Sequence, residues 1–370
     1  YKTYAVRLQN GTNNFRMKRN KIFFFVTGGV GGAERVTLTI AKMLDKEKFS
    51  STIIVTDKSS CQLSQFMPTD IPVKYLGESH LRVSCFLKIL KEILTNRPDY
   101  VFTSMSILCI MVIFCCNYLC NGTKVIVRGQ INPSHWGNKG LVPKMVKFFF
   151  PKAYKVVAQT PKMAEEFVSI LGVPKEKVVQ LYNPIDTKTI NEKIKEENPF
   201  ADVLGFKYVA VGRCAYQKGY DLLLKAFRIV LNNKQNSRLF IVGRDVNDEY
   251  SKSLHATAKD LKIEDKVSFV GFSPNPYKYI YNSDCYVLSS RDEGLPNVLI
   301  EATYLHKQAV AYTCIPIIKD IIQDGVNGYC VNSEDIKALA DAMICIQNKN
   351  MNVASLYRPS SVGDFNNLFK

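Results

Sequence analysis

Two acidic residues, Glu293 and Glu301, lie eight positions apart in the segment 289–301, which follows the apolar run 284–288. That run predicts a buried strand, and the residues from 298 onward predict a helix. With a rise of about 1.5 Å per helical residue, the two carboxylates span on the order of 10 Å. This is about the reach of a sugar nucleotide from its ribose to its hexose.

The turn between the two acids contains Gly294, Leu295, Pro296 and Asn297. Glycine lets a backbone approach a ligand closely, and proline suits the first turn of a helix, where its missing N–H costs nothing. The free N–H groups and the dipole at such a terminus favour a phosphate. Either acidic residue alone could be an ordinary turn residue or a solvated helix residue, but the whole arrangement favours a site that binds a ligand.

Two cations follow another predicted strand: Arg213 ends Val211-Gly-Arg213, and Lys218 precedes Gly219 and a helix. Both are expected at the carboxyl edge of a parallel sheet, where such folds bind ligands. Both groups suit a diphosphate. A guanidinium binds it through paired hydrogen bonds, and an ammonium binds it as a compact positive charge. Two solvated loop cations are the alternative.

Two glycine-containing turns are weaker signals. A nucleotide base could lie against Phe272, which follows Gly271 at a third strand end, although core packing of Phe272 is an equal possibility. In Thr27-Gly-Gly-Val-Gly-Gly-Ala-Glu-Arg35, Gly31 and Gly32 could approach an anion. That loop matches neither the dinucleotide nor the Walker pattern, so tight packing explains it equally well.

The composition is that of a soluble globular chain. The 370 residues favour two domains, with 46% hydrophobic and 22% charged residues. The net charge of +16 favours an anionic partner: a nucleotide, a nucleic acid or an acidic membrane face. The 11 cysteines have no zinc or disulfide spacing, which indicates reduced thiols in the cytoplasm.

Strand-like and helix-like segments alternate along the chain, which predicts an α/β protein with two doubly wound Rossmann-like domains facing across a cleft. The segment 104–120 is apolar, but we expect it to be a buried crossover helix because a membrane span needs about 20 apolar residues. The expected divisions are an upstream extension over 1–16, a first domain over 17–185, a second over 186–348 and a polar tail over 349–370, whose weak pattern leaves disorder open.

The strand-end motifs together resemble a known family. Val211-Gly-Arg213 with Lys218-Gly219, Val270-Gly271, and Glu293-Gly-x-Pro with Glu301 resemble the second domain of retaining glycosyltransferases of the GT-B fold, family 4. The glycine loop and Tyr182-Asn-Pro-Ile-Asp186 resemble that family's first domain and junction. The resemblance covers about residues 21–345 and is strongest to bacterial enzymes that extend lipid-linked or surface oligosaccharides.

The resemblance implies a role for each motif. Arg213 and Lys218 would hold the donor diphosphate, Glu293 would face the transferred sugar, and Glu301 would hydrogen-bond the ribose. The remaining donor contacts would come from Gly271, Phe272, Gly294, Leu295 and Asn297. From the first domain, Gly31 and Gly32 would close over the site.

The implied reaction moves a hexose or N-acetylhexosamine from a nucleotide diphosphate, with UDP expected, to a lipid-linked or surface glycan with retention. Arg213, Lys218 and a helix N-terminus can stabilise the departing charge. Since the chain has no Asp-x-Asp motif, neither a metal nor a cofactor is expected. The departing phosphate would accept the acceptor's proton.

The sequence departs from the family where relatives place a histidine after the fourth strand, because that strand ends here at Thr103-Ser104-Met105. His135 could replace that histidine, although a surface-loop histidine is the default interpretation. Arg128 is the better candidate for a contact to the acceptor or sugar, and a salt bridge at the rim is equally open.

Residues 124–164 contain eight cations and no Asp or Glu, with aromatic residues interleaved. This composition suits an anionic membrane face that carries a lipid-phosphate acceptor, so we expect a cytoplasmic protein peripheral to the inner face of the cell membrane. A helix with solvated lysines is an equal possibility. The other candidate functions are a sugar-nucleotide epimerase of the same fold and a basic nucleic-acid-binding protein.

Overall fold

The computed structural model describes residues 19–29, 31–57, 63–77, 83–104, 106–120, 122–135, 140–245, 248–349, 351, 353 and 355–370. The expected upstream extension over 1–16 lies outside these residues. The described chain forms two parallel sheets with helices packed on both faces, which confirms the predicted fold class.

The first sheet has seven strands in the order β3-β2-β1-β4-β5-β6-β7. Its strands are β1 (Asn20–Val26), β2 (Phe49–Val55), β3 (Val73–Tyr75), β4 (Tyr100–Thr103), β5 (Lys124–Arg128), β6 (Lys155–Ala158) and β7 (Val178–Gln180). The helices of this half are α1 (Gly32–Met43), α2 (Val83–Asn96), α3 (Ser106–Phe114), α4 (Leu141–Phe149) and α5 (Pro161–Ser169). Helix α6 (Thr187–Lys193) follows β7 and packs against the core of the second sheet.

The second sheet has six strands in the order β10-β9-β8-β11-β12-β13. Its strands are β8 (Phe206–Val211), β9 (Ser237–Val242), β10 (Val267–Gly271), β11 (Cys285–Leu288), β12 (Ala309–Tyr312) and β13 (Gly328–Val331). The helices are α7 (Tyr220–Asn233), α8 (Glu249–Asp260), α9 (Tyr277–Asn282), α10 (Asn297–Tyr304), α11 (Ile318–Ile321), α12 (Ile336–Ile346) and α13 (Val362–Asn366).

The central strands are buried on both faces, as parallel strands covered by helices must be. In β1 every residue from Ile22 to Val26 is at most 2% exposed. Because strands of this kind are continuous apolar runs, their positions were predictable from the sequence. Helix α12 begins at Ile336 because the Asp335 side chain caps it by accepting a hydrogen bond from the Ala338 N–H.

The apolar segment 104–120 is a crossover between β4 and β5, as predicted. It consists of α3 followed by a π-helical turn over Cys115–Leu119, and residues such as Leu108, Val112 and Ile113 are fully buried. Within the described ranges, no helix is both long and apolar enough to cross a membrane.

The described part of the C-terminal segment contains a helix and buried side chains, so the disorder that the sequence left open is not found there. Helix α13 carries the chain back to the first domain, where Phe365, Leu368 and Phe369 are at most 1% exposed. The Phe369 ring packs 6.1 Å from the ring of Phe24 in β1 and 5.5 Å from that of Tyr100 in β4. Three apolar residues suffice to order this short segment because they enter an existing core.

Candidate active site

The carboxyl ends of the two sheets face each other, and their loops are in contact. Residues that follow β1 and β5 in the first domain contact residues that follow β11 in the second. The pairs include Arg35 with Glu301 and His135 with Asp292. The edges that carry the predicted site residues therefore form one interdomain cleft.

Lys218 and Glu293 form an ion pair in this cleft. The Lys218 Nζ donates to Glu293 Oε1 at 2.6 Å, and the Ser290 hydroxyl donates to the same oxygen at 2.7 Å. The side chains are 20% and 9% exposed, respectively. The structure thus joins two of the predicted catalytic residues, with the carboxylate held by a cation and a hydroxyl.

Two glycines make this pairing possible. A Cβ on Gly212 would lie 2.9 Å from Lys218 Cε, so the lysine lies across the space that a side chain would fill. Gly219 has φ +62, and a Cβ there would lie 2.1 Å from the Ser289 carbonyl oxygen. The loops after β8 and β11 approach so closely that only glycine fits between them.

The loop that carries Glu293 is anchored to α7 by Arg291. Its guanidinium donates two hydrogen bonds to the Asp221 carboxylate, at 2.8 and 2.7 Å. Two parallel hydrogen bonds between a guanidinium and a carboxylate fix the relative orientation of both side chains. Arg291 therefore positions the Glu293 loop, a role that no motif in the sequence indicated.

Arg213, by contrast, has an exposed side chain and no ion pair with any other residue that the structure describes. It follows β8, five positions before Lys218. A cation without a carboxylate partner at a strand end can accept an anionic ligand without breaking an existing pair.

Glu301 is held by both domains. Its Oε1 accepts hydrogen bonds from Arg35 of α1 at 2.8 Å and from the Tyr277 hydroxyl of α9 at 3.2 Å. Arg35 also contacts the Tyr277 hydroxyl directly. Burial raises the pKa of the Glu301 carboxyl, although Arg35 opposes that rise. Tyr277 belongs to no motif that is recognisable in the sequence, while Arg35 belongs to the glycine loop.

Gly294 permits contact between the domains. A Cβ at this position would lie 1.8 Å from the carbonyl oxygen of Gln130 in the first domain. The sequence predicted that this glycine lets the backbone approach a ligand, but in the structure its neighbour is protein backbone. The next residue, Leu295, is only 5% exposed and packs in the core of the second domain.

Asn297 and the glycine loop also meet across the cleft. The Asn297 Oδ1 accepts a hydrogen bond from Asn183 Nδ2 at 2.7 Å, and its Nδ2 would lie 3.2 Å from a Cβ on Gly32. Gly31 caps the start of α1. There the Glu34 carboxylate, hydrogen-bonded to the Thr27 hydroxyl at 2.6 Å, folds back against Gly31. This carboxylate already occupies the N-terminal turn where the sequence suggested an anion.

Arg128 is buried, which differs from the rim salt bridge that the sequence left open. It is 2% exposed, and one of its terminal nitrogens donates to Asn183 Oδ1. The other, Nη1, is buried without a hydrogen-bond partner among the described residues. Burial lowers the pKa of this guanidinium, so a buried cation here would be stabilised by an approaching anion or hydroxyl.

The remaining predicted residues lie nearer the surface. Gly271 ends β10 with φ +79, and Phe272 is 36% exposed, so its ring is available to a flat ligand. His135 faces Asp292 across the cleft, with Nδ1 and Oδ1 2.5 Å apart. The histidine is therefore an interdomain contact rather than an unattached surface residue.

Two other observations bear on ligands. A depression of about 360 Å³ near Lys21, Ser50 and Asp99 lies at the amino ends of the first sheet's strands, away from the cleft. Among the residues that the structure describes, no cluster of three or more His, Cys, Asp or Glu side chains could hold a metal ion.

Comparisons with known proteins agree with this architecture. Residues 30–189 match the family model described as Glycosyltransferase Family 4, and residues 192–355 match the one described as Glycosyl transferases group 1. Because both models describe transferases, the epimerase and nucleic-acid alternatives are not favoured.

Two curated relatives are similar in sequence. An uncharacterized glycosyltransferase of Methanocaldococcus jannaschii is 29% identical over 288 residues, covering 73% of this chain and 65% of that protein's length. A Campylobacter jejuni N-acetylgalactosamine-N,N'-diacetylbacillosaminyl-diphospho-undecaprenol 4-alpha-N-acetylgalactosaminyltransferase is 28% identical over 308 residues, covering 77% and 78%.

Among solved structures, Anabaena HepE in complex with UDP-glucose superposes with a TM-score of 0.73. The identity is 19%, and the superposition covers 94% of each chain. At this identity the similarity establishes the fold.

Proposed function

The chain belongs to the family 4 glycosyltransferases of the GT-B fold, and we propose that it transfers a hexose or N-acetylhexosamine from a UDP-sugar to a lipid-linked or surface glycan. The transfer retains the anomeric configuration and needs no metal ion. The pairing of Lys218 with Glu293 at the cleft, beside the exposed Arg213, is the observation that carries this proposal.

In this proposal Arg213 and Lys218 bind the diphosphate, and Phe272 lies against the base. Both cations follow β8, next to the strand that precedes Glu293 in the sheet order. Glu293 then faces the sugar, and Glu301, on the helix beyond, reaches the ribose. Gly271, Leu295 and Asn297 complete the donor-binding set that we propose, with Gly31, Gly32 and Arg128 across the cleft.

The proposed reaction breaks the bond between the sugar C1 and the β-phosphate oxygen and forms a bond from C1 to the acceptor oxygen on the same face. The acceptor hydroxyl proton passes to the departing phosphate oxygen. Arg213 and Lys218 stabilise the negative charge that grows on the leaving diphosphate. With two cations in this role, the site requires neither a metal nor a protein base.

The nucleotide and the acceptor are inferred from relatives. HepE of the same fold was solved with UDP-glucose, and the Campylobacter relative is named for transfer to a diphospho-undecaprenol acceptor. Both features support a UDP-sugar and a lipid-linked glycan as the substrates of this chain.

A basic, apolar surface of the first domain supports peripheral contact with an anionic membrane at the cytoplasmic face. On α4 only Val146 is buried, while Leu141 and Phe148 are 72% and 58% exposed. The nearby Tyr118 is 53% exposed, and the Lys152 ammonium lies over the Phe148 ring. Apolar side chains ringed by lysines suit insertion at an anionic headgroup layer.

Flotation with liposomes tests this contact. Wild-type protein should float with vesicles that contain phosphatidylglycerol and not with neutral phosphatidylcholine vesicles, and the variant Leu141→Ser/Phe148→Ser should float less. The matched control is Leu204→Ser, because Leu204 is 82% exposed in the second domain. Flotation that ignores anionic lipid would contradict the membrane proposal.

Transfer itself is tested with a panel of sugar nucleotides. A thermal-shift screen identifies the donor, and incubation with that donor and a bacterial lipid extract, with and without EDTA, yields the product for NMR. We expect an α-linked product from an α-linked donor, unaffected by EDTA. The variant Arg213→Ala should lose transfer while Arg228→Ala, on the exposed face of α7, should not. Normal transfer by Arg213→Ala would refute the proposed charge stabilisation.

A further inference from the structure

The depression at the amino ends of the first sheet's strands lies on the side of the first domain opposite the interdomain cleft. Its volume of about 360 Å³ falls within the range of about 300–1,000 Å³ that is typical of small-molecule sites. The residues that line it are Arg19, Lys21, Ser50, Arg97 and Asp99. Three cations therefore surround this space against one carboxylate, and none of the lining residues is apolar.

Three segments of the chain bring these residues together. Arg19 and Lys21 lie at the start of β1, where alternate residues of an extended chain face the same way. Ser50 belongs to β2, which pairs with β1, whereas Arg97 and Asp99 lie between α2 and β4. The Lys21 N–H donates to Asp99 Oδ2 at 2.7 Å, which fixes the carboxylate against β1, while its Oδ1 accepts no hydrogen bond from a described residue.

Neighbouring carboxylates do not neutralise the positive charge of the depression. None of its three cations forms an ion pair with a residue inside the described ranges. The lysines of the adjacent loop already hold the nearby acidic residues, since Lys46 pairs with Asp70 and Lys48 pairs with Asp45. Like charges that converge without paired carboxylates repel one another, and an anionic ligand relieves that repulsion.

Helix α2 accounts for one of these cations but not for the others. The Lys21 ammonium donates to the Asn96 carbonyl oxygen at 2.9 Å, at the carboxyl end of α2, where the helix dipole favours a cation. The Arg19 guanidinium donates to the Lys46 carbonyl oxygen at 3.3 Å. The exposed side chain of Arg97 donates to no residue that the structure describes, so the packing of the fold gives no reason for its charge.

The backbone of Arg97 gives no reason for an arginine either. Its φ of +45 lies in the left-handed region, which glycine enters freely and other residues occupy only at a cost in free energy. Glycine is the usual residue in this conformation directly after a helix. The local backbone therefore disfavours an arginine at this position, whereas an anionic ligand in the depression explains it.

We propose that the depression is a second anion site, which binds the phosphate group of a small, soluble organic phosphate. The guanidinium groups of Arg19 and Arg97 hydrogen-bond the phosphate oxygens in pairs, and Lys21 adds a compact positive charge. The Ser50 hydroxyl and the Asp99 Oδ1 bind hydroxyls of the group that carries the phosphate. Because no lining residue is apolar, the site does not favour the acyl chains of a phospholipid.

This site is separate from the cleft. Strand β1 runs from the depression to the glycine loop that follows Val26, so the two sites lie at opposite ends of one strand, roughly 20 Å apart. A nucleotide in the cleft and a phosphate in the depression can therefore be bound at the same time. The inference does not rest on the proposed transferase function.

A matched pair of glycine substitutions tests the site. Arg97→Gly removes a cation from the depression, and Lys262→Gly removes an exposed cation at φ +55 in the second domain. Each substitution removes one positive charge and relieves a left-handed residue, so both variants should remain folded with Tm values near that of the wild type. The measurement is calorimetric titration with ribose 5-phosphate in the presence of excess UDP, which competes for the cations of the cleft.

We expect Lys262→Gly to bind ribose 5-phosphate as the wild type does, and Arg97→Gly to bind it about tenfold more weakly. Free ribose should not bind, and added NaCl should weaken the binding of ribose 5-phosphate because charges hold the phosphate. Equal affinities in the two glycine variants, or no binding by the wild type, would overturn the site.

Two further variants locate the bound phosphate. Arg19→Met removes an exposed cation from the other side of the depression and should also weaken binding, without any change at Arg97. Arg213→Ala removes a cation of the cleft and should leave the affinity for ribose 5-phosphate unchanged. Loss of binding in Arg213→Ala would place the ligand in the cleft and overturn the inference.

Liposome flotation distinguishes a soluble phosphate from a lipid headgroup. Arg97→Gly should float with phosphatidylglycerol vesicles to the same extent as the wild type, because the proposed ligand is not part of a membrane. Reduced flotation of Arg97→Gly, with no binding of ribose 5-phosphate to the wild type, would assign these cations to a lipid phosphate and overturn the soluble ligand.

Discussion

Arg35 of the first domain and Glu301 of the second are joined by an ion pair of 2.8 Å, which leaves the other carboxylate oxygen of Glu301 buried and without a hydrogen-bond partner among the described residues. Arg35 and Tyr277 both donate to Oε1. A buried acceptor without a donor is costly, at about 1–3 kcal/mol. The vacant Oε2 is therefore suited to a ligand hydroxyl, such as one of the ribose hydroxyls proposed here.

Substitution of Arg35 should weaken nucleotide binding. In Arg35→Met the buried Glu301 loses its cation, so its pKa rises further and the first domain loses a contact to the second. We expect the Kd for UDP, measured by titration calorimetry, to rise about tenfold, or ~1.4 kcal/mol. Arg35→Lys should recover part of this loss.

The control for that experiment is Lys46→Met, which breaks an exposed ion pair with Asp70 on the same domain. Exposed pairs contribute about 0–1 kcal/mol to stability, so UDP binding should not change. Equal UDP affinity in Arg35→Met and Lys46→Met would show that the contribution of Glu301 to UDP binding does not depend on Arg35.

Breaking the ion pair between Lys218 and Glu293 should lower both Tm and kcat, and only the Tm should be recoverable by a second substitution. Lys218→Met leaves the Glu293 carboxylate with only the Ser290 hydroxyl, so we expect a lower Tm and a kcat reduced by about 10²–10³. The double variant Lys218→Met/Glu293→Gln should recover the Tm but not kcat. Lys225→Met, at an exposed position of α7, is the control, and an equal kcat in the two lysine variants would contradict this assignment.

A single methyl group at Gly294 should disturb the closed cleft. Because a Cβ there would lie 1.8 Å from the Gln130 carbonyl oxygen, Gly294→Ala must push the two domains apart. We expect a loss of transfer and a larger radius of gyration in small-angle scattering. At Gly29, where the nearest atom would be an ordinary 3.7 Å away, alanine should change neither quantity.

Asp186 at the junction should make stability depend on pH. Burial disfavours its charged form, but hydrogen bonds and the charge of Lys42, 3.0 Å away, outweigh burial and hold its pKa below the usual 3.8. Its charged form therefore stabilises the fold above pH 3.8, and this contribution is lost as the pH falls through the lowered value.

Asp186→Asn preserves the helix cap and removes the charge. Urea unfolding at neutral pH should show a loss of about 1 kcal/mol that shrinks as the pH falls below 3.8, because the wild type is then protonated too. The same loss at every pH would mean that the charge contributes nothing. Lys42→Met should reproduce the neutral-pH loss, and the double variant should not add to it.

The C-terminal anchor should contribute to the stability of the first domain. Phe369 is fully buried between β1, β2 and β4 side chains, so Phe369→Ala should cost about 3–5 kcal/mol in the free energy of unfolding. Val362→Ala, at a position that is 43% exposed in the same segment, should cost little. Similar losses for both would argue against the anchor.

The sequence was sufficient to predict the strands and the glycine-lined sheet edges, because buried parallel strands are continuous apolar runs followed by turn residues. Lys218 and Glu293 were placed at one edge for this reason. Residues that act across the cleft were not predictable: Tyr277 carries no local pattern, and the neighbour of Gly294 is a carbonyl 164 positions away in the chain. The apolar residues around Phe369 were too few to produce a periodic signal.

The return of α13 to the first domain has a consequence for biosynthesis. The aromatic core around Phe24 and Tyr100 receives Phe369 only after the entire second sheet has left the ribosome. The core of the amino-terminal half therefore stays incompletely covered while about half of the polypeptide is still to be translated. Pulse-labelled nascent chains stalled before residue 362 should be cleaved by protease within the amino-terminal half faster than the released protein.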